Sequence, residues 1–288
     1  MHRYSYYKTA ACTLNVSIGD PQANKEEILK CIQELDSDTQ LVVFPELCIT
    51  GYTCQDLFYE HTLLNSAKQV LFEIVEELPE NLVTVLGLPL EIENKLYNCA
   101  AICFNHDILG IQVKTYIPSY NEFYETRWFS SASELKENTT FTYKDKRVPV
   151  SNHIVFKDTT TSACLGIEIC EDLWVTIPVS STHALAGANV LCNLSASNEI
   201  ISKANYRRNL VKDQSAKCYA GYVYASAGPT ESSSDLVFSG HNLICENGTI
   251  LSETKTDKTI YGQIDLDHLN HDRLHYKTSM QDLFHVNY

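Results

Sequence analysis

The sequence predicts an α/β domain built on a mixed sheet, or on two sheets packed face to face between helices. Three observations carry that expectation. Short β-prone apolar runs, such as Leu41-Val42-Val43-Phe44 and Leu165-Gly166-Ile167, alternate with stretches of helical periodicity along most of the chain. The last third reads as antiparallel, with a turn at Glu246-Asn247-Gly248 between two strand-like segments. Hydrophobic residues make up 44% of the 288, which suffices for one large core or two small ones.

The elements follow in order. Residues 9–16 read as a first strand. Asp20 and Pro21 then provide an N-cap and a first-turn proline, and Ile28, Leu29, Ile32 and Leu35 give the helix one apolar face. A strand at 41–44 precedes a second helix expected over 57–78, with Leu63, Leu64, Ala67, Val70, Leu71, Ile74 and Val75 inward. Strands are expected at 82–88, 96–104 and 108–114. The polar stretch 130–147 reads as an exposed loop or short insertion. Strands resume at 154–157 and 163–169, a short helical pattern covers 181–187, and a strand covers 190–194. A helix is expected at 203–220, then strands at 221–227, 236–245, 249–253 and 260–266. Neither an internal repeat nor a low-complexity linker interrupts this order. The pattern therefore divides into one domain over 1–267 and a segment, 268–288, that reads as a tail or the start of a linker.

Composition narrows the function. Lys plus Arg number 22 against 36 Asp plus Glu, a net charge of −14 with no basic stripe, which disfavours nucleic acid and anionic membranes as partners. The 11 cysteines are odd in number, show no Cys-x-x-Cys pair and form no Cys/His cluster of zinc spacing. Cys12, Cys99, Cys103, Cys164 and Cys192 lie within apolar strands and read as small core residues of a reducing compartment. No metal is implied. The first residues lack the apolar stretch of a signal peptide, and no run reaches membrane-spanning length, so the cytoplasm is the expected location.

One constellation stands out. The run Gly166-Ile167-Glu168-Ile169 ends at Cys170, with Glu171 and Asp172 following. Two other strand-like runs end on ionisable residues, Phe44-Pro45 on Glu46 and Gln112-Val113 on Lys114. A thiol, a carboxylate and an ammonium at three strand ends match a nucleophile, a general base and an oxyanion-stabilising cation. Taken singly, each has a plain reading too: a core thiol, a helix-start or surface carboxylate, a solvent-facing lysine.

Taken together, Glu46, Lys114 and Cys170 in this order resemble the nitrilase, or carbon–nitrogen hydrolase, superfamily. Longer stretches resemble the glutaminase domains of glutamine-dependent NAD synthetases: Phe44-Pro45-Glu46-Leu47-Cys48-Ile49-Thr50-Gly51-Tyr52-Thr53-Cys54-Gln55-Asp56-Leu57-Phe58, Lys114-Thr115-Tyr116-Ile117-Pro118-Ser119-Tyr120-Asn121-Glu122-Phe123-Tyr124-Glu125, and Tyr224-Ala225-Ser226-Ala227-Gly228-Pro229-Thr230-Glu231-Ser232, continuing to Asp235-Leu236-Val237-Phe238-Ser239-Gly240. The resemblance covers residues 5–266.

It implies a four-layered αββα sandwich and a glutamine amidohydrolase. In that reading Cys170 is the nucleophile, Glu46 the general base and Lys114 the oxyanion cation. Glu122, eight residues after Lys114, matches a second glutamate that orients the lysine and the substrate. Tyr52, Tyr120, Phe123, Glu171 and Ser197 would line the glutamine pocket, with Glu171 on the α-ammonium. Lys203, Arg207 and Arg208 all fall where a cation would meet the α-carboxylate. The resemblance further implies homo-oligomers and a synthetase domain as partner, in cis or in trans, receiving ammonia for NAD synthesis from deamido-NAD. The Ser-Gly-Gly-x-Asp-Ser phosphate loop of such a domain is absent from this sequence, so ATP and deamido-NAD are not expected to bind here and no cofactor is implied. Residues 272–279 resemble the start of a linker. A stand-alone amidase for another small amide and a non-catalytic docking module remain the other readings. His271 and His275, four apart, could suggest a metal pair or simply lie on a solvated tail.

Overall fold

The computed structural model describes residues 5–276 and 283–288. In chain order it runs through β1 (Tyr6–Cys12), α1 (Pro21–Gln33), β2 (Leu41–Val43), α2 (His61–Glu77), β3 (Val83–Ile92), β4 (Lys95–Phe104) and β5 (Asp107–Val113). Next come β6 (Thr140–Tyr143), β7 (Lys146–Ser151), β8 (Ile154–Lys157), β9 (Cys164–Ile169), α3 (Val179–Leu185) and β10 (Val190–Ser195). The remainder is α4 (Lys203–Lys217), β11 (Gly221–Ser226), β12 (Asn242–Glu246), β13 (Thr249–Thr254), β14 (Thr259–Asp265), α5 (Leu266–Tyr276) and β15 (Phe284–Asn287).

The strands form two sheets. One has eight strands in the order β14-β1-β2-β3-β4-β5-β7-β6; the other has seven in the order β13-β12-β11-β10-β9-β8-β15. Period-2 alternation sorts side chains between layers. From β1 and β2, Ala11, Leu41 and Val43 point between the sheets, where they meet Ile167, Ile169, Cys192 and Leu194. Ala10, Cys12 and Val42 point the other way and are covered by Ile28 of α1 and by Ala67, Val70 and Ile74 of α2. On the far side Leu191, Tyr222 and Tyr224 pack under Ala186 beyond α3 and Val211 of α4. The layers are therefore α, β, β, α, as the resemblance implied.

Several local expectations shift. The second helix is split: residues Gln55–Tyr59 form a 3-10 turn, and α2 begins at His61. Asp20 does cap α1, accepting from Ala23 N at 3.1 Å. The stretch 130–147 is not a plain loop. It holds a 3-10 turn at Ala132–Glu134 and the β6–β7 hairpin, whose Phe141, Tyr143 and Val148 alternate inward onto the helical layer. Residues 236–241 are irregular, and the hairpin strand starts at Asn242. Nor is 268–288 a simple tail. The proposed boundary at 267 falls inside α5, where Leu266 and Leu269 join the core between the sheets, and β15 pairs in parallel with β8. Residues 277–279 of the linker-like run lie outside the described residues. The His271 and His275 ring centroids lie 4.4 Å apart with the rings tilted at 54°, and no group of three metal-ligating side chains occurs among the described residues. Also among the described residues, no helix is long and apolar enough to cross a membrane.

Candidate active site

Three strand ends bring the site together. β1, β2 and β3 are parallel, and β5 is antiparallel to β4, which is itself antiparallel to β3. The carboxyl ends of β2 and β5 thus share one edge, as do those of the parallel β9, β10 and β11 in the facing sheet. Glu46 follows β2, Lys114 follows β5 and Cys170 follows β9. The edge outside the carboxyl ends of parallel strands is where α/β folds place their ligands.

All three side chains are buried: Glu46 is 1% exposed, Lys114 0% and Cys170 6%. Lys114 Nζ donates to Glu46 Oε1 at 2.6 Å and to both oxygens of Glu125 at 2.8 and 2.9 Å. Asn98 Nδ2 on β4 donates to Glu46 Oε1 at 2.7 Å, and the Ala196 N–H, just past β10, donates to Oε2 at 2.9 Å. The Tyr52 hydroxyl donates to Glu125 Oε1 at 2.8 Å. Each buried charge therefore has partners, as its burial demands.

Backbone strain marks the same places. Cys170 has φ +45° and Leu47, next to Glu46, has φ +51°. Left-handed non-glycine residues are uncommon and cluster at functional turns. Here the kink stops β9 and starts the 3-10 turn Cys170–Leu173, which keeps the thiol at the strand end. Asp172 closes that turn. Its carboxylate accepts from Ile169 N at 3.1 Å, Thr115 N at 3.0 Å and Tyr116 N at 2.9 Å, tying the nucleophile turn to the residues after Lys114.

The electrostatics assign protons. Burial pushes the Cys170 thiol well above the ordinary cysteine range, and Glu46 adds to this, while Lys114 pulls it back. The resting sulfur is therefore a thiol, and attack needs a base. Burial raises Glu46 as well, to about 7, with Lys114 opposing. That suits a group that accepts and returns a proton near neutrality. Burial works against the charge on Lys114, but Glu125 and Glu46 outweigh it and hold the ammonium protonated.

The lysine's second carboxylate is Glu125, and this corrects the reading of Glu122. Glu122 lies three residues earlier and instead accepts a hydrogen bond from Asn198 Nδ2. Asn121, at φ +49°, and the 3-10 turn Glu125–Arg127 turn Glu125 inward. Sequence reading missed Glu125, Asn98 and the Asp172 clamp. Asp172, two residues after the thiol, and Glu125, at the end of the run from Lys114, lay within stretches that drew attention, but neither received a role there.

The pocket residues are placed as follows. Tyr52, Glu122, Phe123, Glu125 and Leu236 line one cleft, while Tyr120 and Glu171 line its neighbour with Pro118 and Phe129. The Tyr120 hydroxyl reaches both Glu171 oxygens at 2.9 Å, and its ring meets that of Phe123 edge-on at 6.0 Å. Lys203 lies over the rings of Phe123 at 5.5 Å and Trp174 at 5.1 Å, and its ammonium bonds Asn198 Oδ1. The other two basic residues point elsewhere. Arg208 pairs with Glu253 at 2.8 Å, and Arg207 is fully enclosed, with Ser197 Oγ at 3.1 Å from its Nη2.

Comparison with known proteins agrees with this geometry. The family model for carbon–nitrogen hydrolases matches residues 8–273. Over 253 residues the chain is 38% identical to a glutamine-dependent NAD(+) synthetase of Mycobacterium leprae, covering 87% of this chain and 37% of that one. The human glutamine-dependent NAD(+) synthetase is 30% identical over 255 residues, 85% of this chain and 35% of its own. The chain thus spans little more than a third of the length of these curated relatives. The crystal structure of a glutamine-dependent NAD(+) synthetase from Cytophaga hutchinsonii superposes with a TM-score of 0.80 at 29% identity, covering 90% of this chain and 43% of that one. Saccharomyces cerevisiae Nit3, of the nitrilase superfamily, superposes over 96% of both chains with a TM-score of 0.74; at 19% identity it speaks to the fold alone. With the family model spanning nearly its whole length, the chain belongs to the carbon–nitrogen hydrolase family.

Proposed function

We propose that this chain hydrolyses the side-chain amide of glutamine through a Cys170 thioester and supplies ammonia to a synthetase domain, in cis or in trans, that makes NAD from deamido-NAD. The observation that carries the reading is the buried Glu46–Lys114–Glu125 cluster beside a thiol held at a strand end. Cys170 Sγ attacks the carboxamide carbon as Glu46 takes the thiol proton. Lys114 and the N–H of Glu171 hold the oxyanion. Glu46 returns the proton to the leaving nitrogen, ammonia departs, and a thioester remains. Glu46 then activates a water that releases glutamate and the free thiol.

An amino-acid substrate is supported by paired opposite charges near the nucleophile. Glu171, half-buried beside Tyr120, would take the α-ammonium. Lys203 would meet the α-carboxylate, since Arg207 and Arg208 are committed elsewhere. Phe123 would lie along the methylenes. The reading gives ATP and deamido-NAD no site in this chain. It treats the chain as a soluble, cytoplasmic module.

The test is intact mass after treatment with diazo-oxo-norleucine, a glutamine-shaped electrophile, alongside Cys170→Ala and a panel of amides. One adduct, absent from Cys170→Ala, with glutamine turned over faster than simple amides, is the expected result. Turnover of small amides with glutamine ignored would make the chain a general amidase. A folded protein with neither adduct nor turnover would overturn the proposal.

A further inference from the structure

Arg207 is one of the largest fully buried side chains, and no part of the mechanism above uses it. It projects from α4 under the loop that follows β10. Its Nη2 donates to Asn198 O at 2.9 Å and to Ser197 Oγ at 3.1 Å, and its Nη1 reaches Glu199 Oε2 at 3.2 Å. The other side of the same loop faces the site, through Ala196 N–H on Glu46 and Asn198 on Glu122 and Lys203. The guanidinium therefore sits behind the loop whose front holds the base.

Behind Arg207 the chain of contacts continues. Nη1 lies 2.9 Å from His241 Nδ1, and His241 Nε2 lies 2.7 Å from Glu253 Oε1. Arginine has only donors, so Nδ1 must present its lone pair and the ring proton must sit on Nε2, donated to Glu253. The contact pattern fixes both the tautomer and the neutral state of His241. The imidazole is wholly enclosed.

We infer that Glu253, His241 and Arg207 form a positioning relay that fixes the 196–199 loop, and so aims the Ala196 N–H at Glu46, only while His241 is neutral. A second proton on His241 would go on Nδ1 and point a donor at a donor, breaking the contact that seats Arg207. The charged groups facing His241 from the packed elements are Arg207 from α4, Glu253 from β13 and Lys255 just beyond it; Glu199 lies across Arg207 and Arg208 shares Glu253. Burial lowers the His241 pKa below its ordinary value, Glu253 opposes, and Arg207 adds to the lowering. The relay is thus set at neutral pH and released on the acid side. It acts through Glu46 and does not depend on which amide is the substrate.

The test reads the rate of Cys170 alkylation by iodoacetamide against pH, by intact mass, in the wild-type chain, Arg207→Lys and His241→Asn. A single ammonium cannot reach the Ser197 hydroxyl, the Asn198 carbonyl and His241 at once. Arg207→Lys should therefore slow alkylation at pH 8 by at least about tenfold, the rate equivalent of one hydrogen bond to a charged group. Asparagine keeps an acceptor for Arg207 but takes no proton. Wild type should accordingly fall more steeply than one proton per pH unit at the acid end, and His241→Asn should keep the single-proton slope set by Glu46. A folded Arg207→Lys with the wild-type rate overturns the relay. If that variant does not fold, superimposable acid limbs for wild type and His241→Asn overturn it instead.

Discussion

Glu125 receives both ammonium hydrogen bonds that Glu46 leaves over, and it does so at 2% exposure. Removing its charge strips a buried cation of half its neutralisation. Glu125→Gln should lower turnover by about 10²–10³-fold, whereas Glu122→Gln, which trims a loop contact to Asn198, should cost less than about tenfold. Amide hydrolysis by the two variants, each checked for folding, decides which glutamate serves the lysine. The pH dependence follows from Glu46. Its pKa is raised to about 7, so the ionised base is present above that value and is lost as pH falls through it. Alkylation of Cys170 should rise about tenfold per unit on approaching pH 7, more steeply only at the acid end where His241 also titrates, and then level, and Glu46→Gln should remove the limb that Glu46 sets. The triad residues were legible because each ends an apolar run. Glu122 and Glu125 were not separable, because both lie in one short polar-aromatic loop. A left-handed Asn121 and a 3-10 turn decide which one faces the lysine, and neither has a strong sequence signal.

The elements fix the site by close approach as much as by polar bonds. Gly87 in β3 lies directly under the turn that carries Glu46. A Cβ there would come within 2.4 Å of Leu47 N and 2.7 Å of Pro45 O. Those atoms are backbone, and Ile49 N also bonds Gly87 O at 3.1 Å, so the turn has little room to retreat. Gly87→Ala should destabilise the fold by about 1–3 kcal/mol, the usual cost of overpacking. It should also slow Cys170 alkylation, because Glu46 moves with the turn. Urea unfolding and the alkylation rate, measured on one preparation, test both effects, and a variant with neither would show that the turn adapts. Element types were mostly readable from periodicity. The β6–β7 hairpin was not, because its exposed positions are polar enough to resemble a loop and only four inward residues, Phe141, Tyr143, Val148 and Val150, mark it.

At the scale of the whole molecule, the seven-stranded sheet ends on a strand from the far end of the chain. β15 lies along β8, and Tyr288 N and O bond Lys157 O and Thr159 N at 3.1 and 2.9 Å. The Tyr288 ring meets Phe104 of the other sheet edge-on at 5.0 Å, and Val286 and Tyr288 both pack on the core between the sheets. The segment that reads as a tail thus closes one margin of the sandwich. It escaped sequence reading because a four-residue strand paired across more than a hundred residues leaves no local period. That placement predicts a stability role without a catalytic one, since the segment does not contribute to the Glu46–Lys114–Glu125 cluster. Tyr288→Ala removes a half-buried aromatic ring and should cost about 2 kcal/mol, below the range for fully enclosed rings. It should also loosen β15 from β8, and a bared β8 edge invites pairing between chains. The expected result is a lower urea midpoint and concentration-dependent aggregation, with Cys170 alkylation of the folded protein unchanged. An unchanged midpoint would mean that β15 does not hold this edge in solution. A slowed alkylation rate would mean that the sandwich transmits strain from this margin to the strand ends that carry the site.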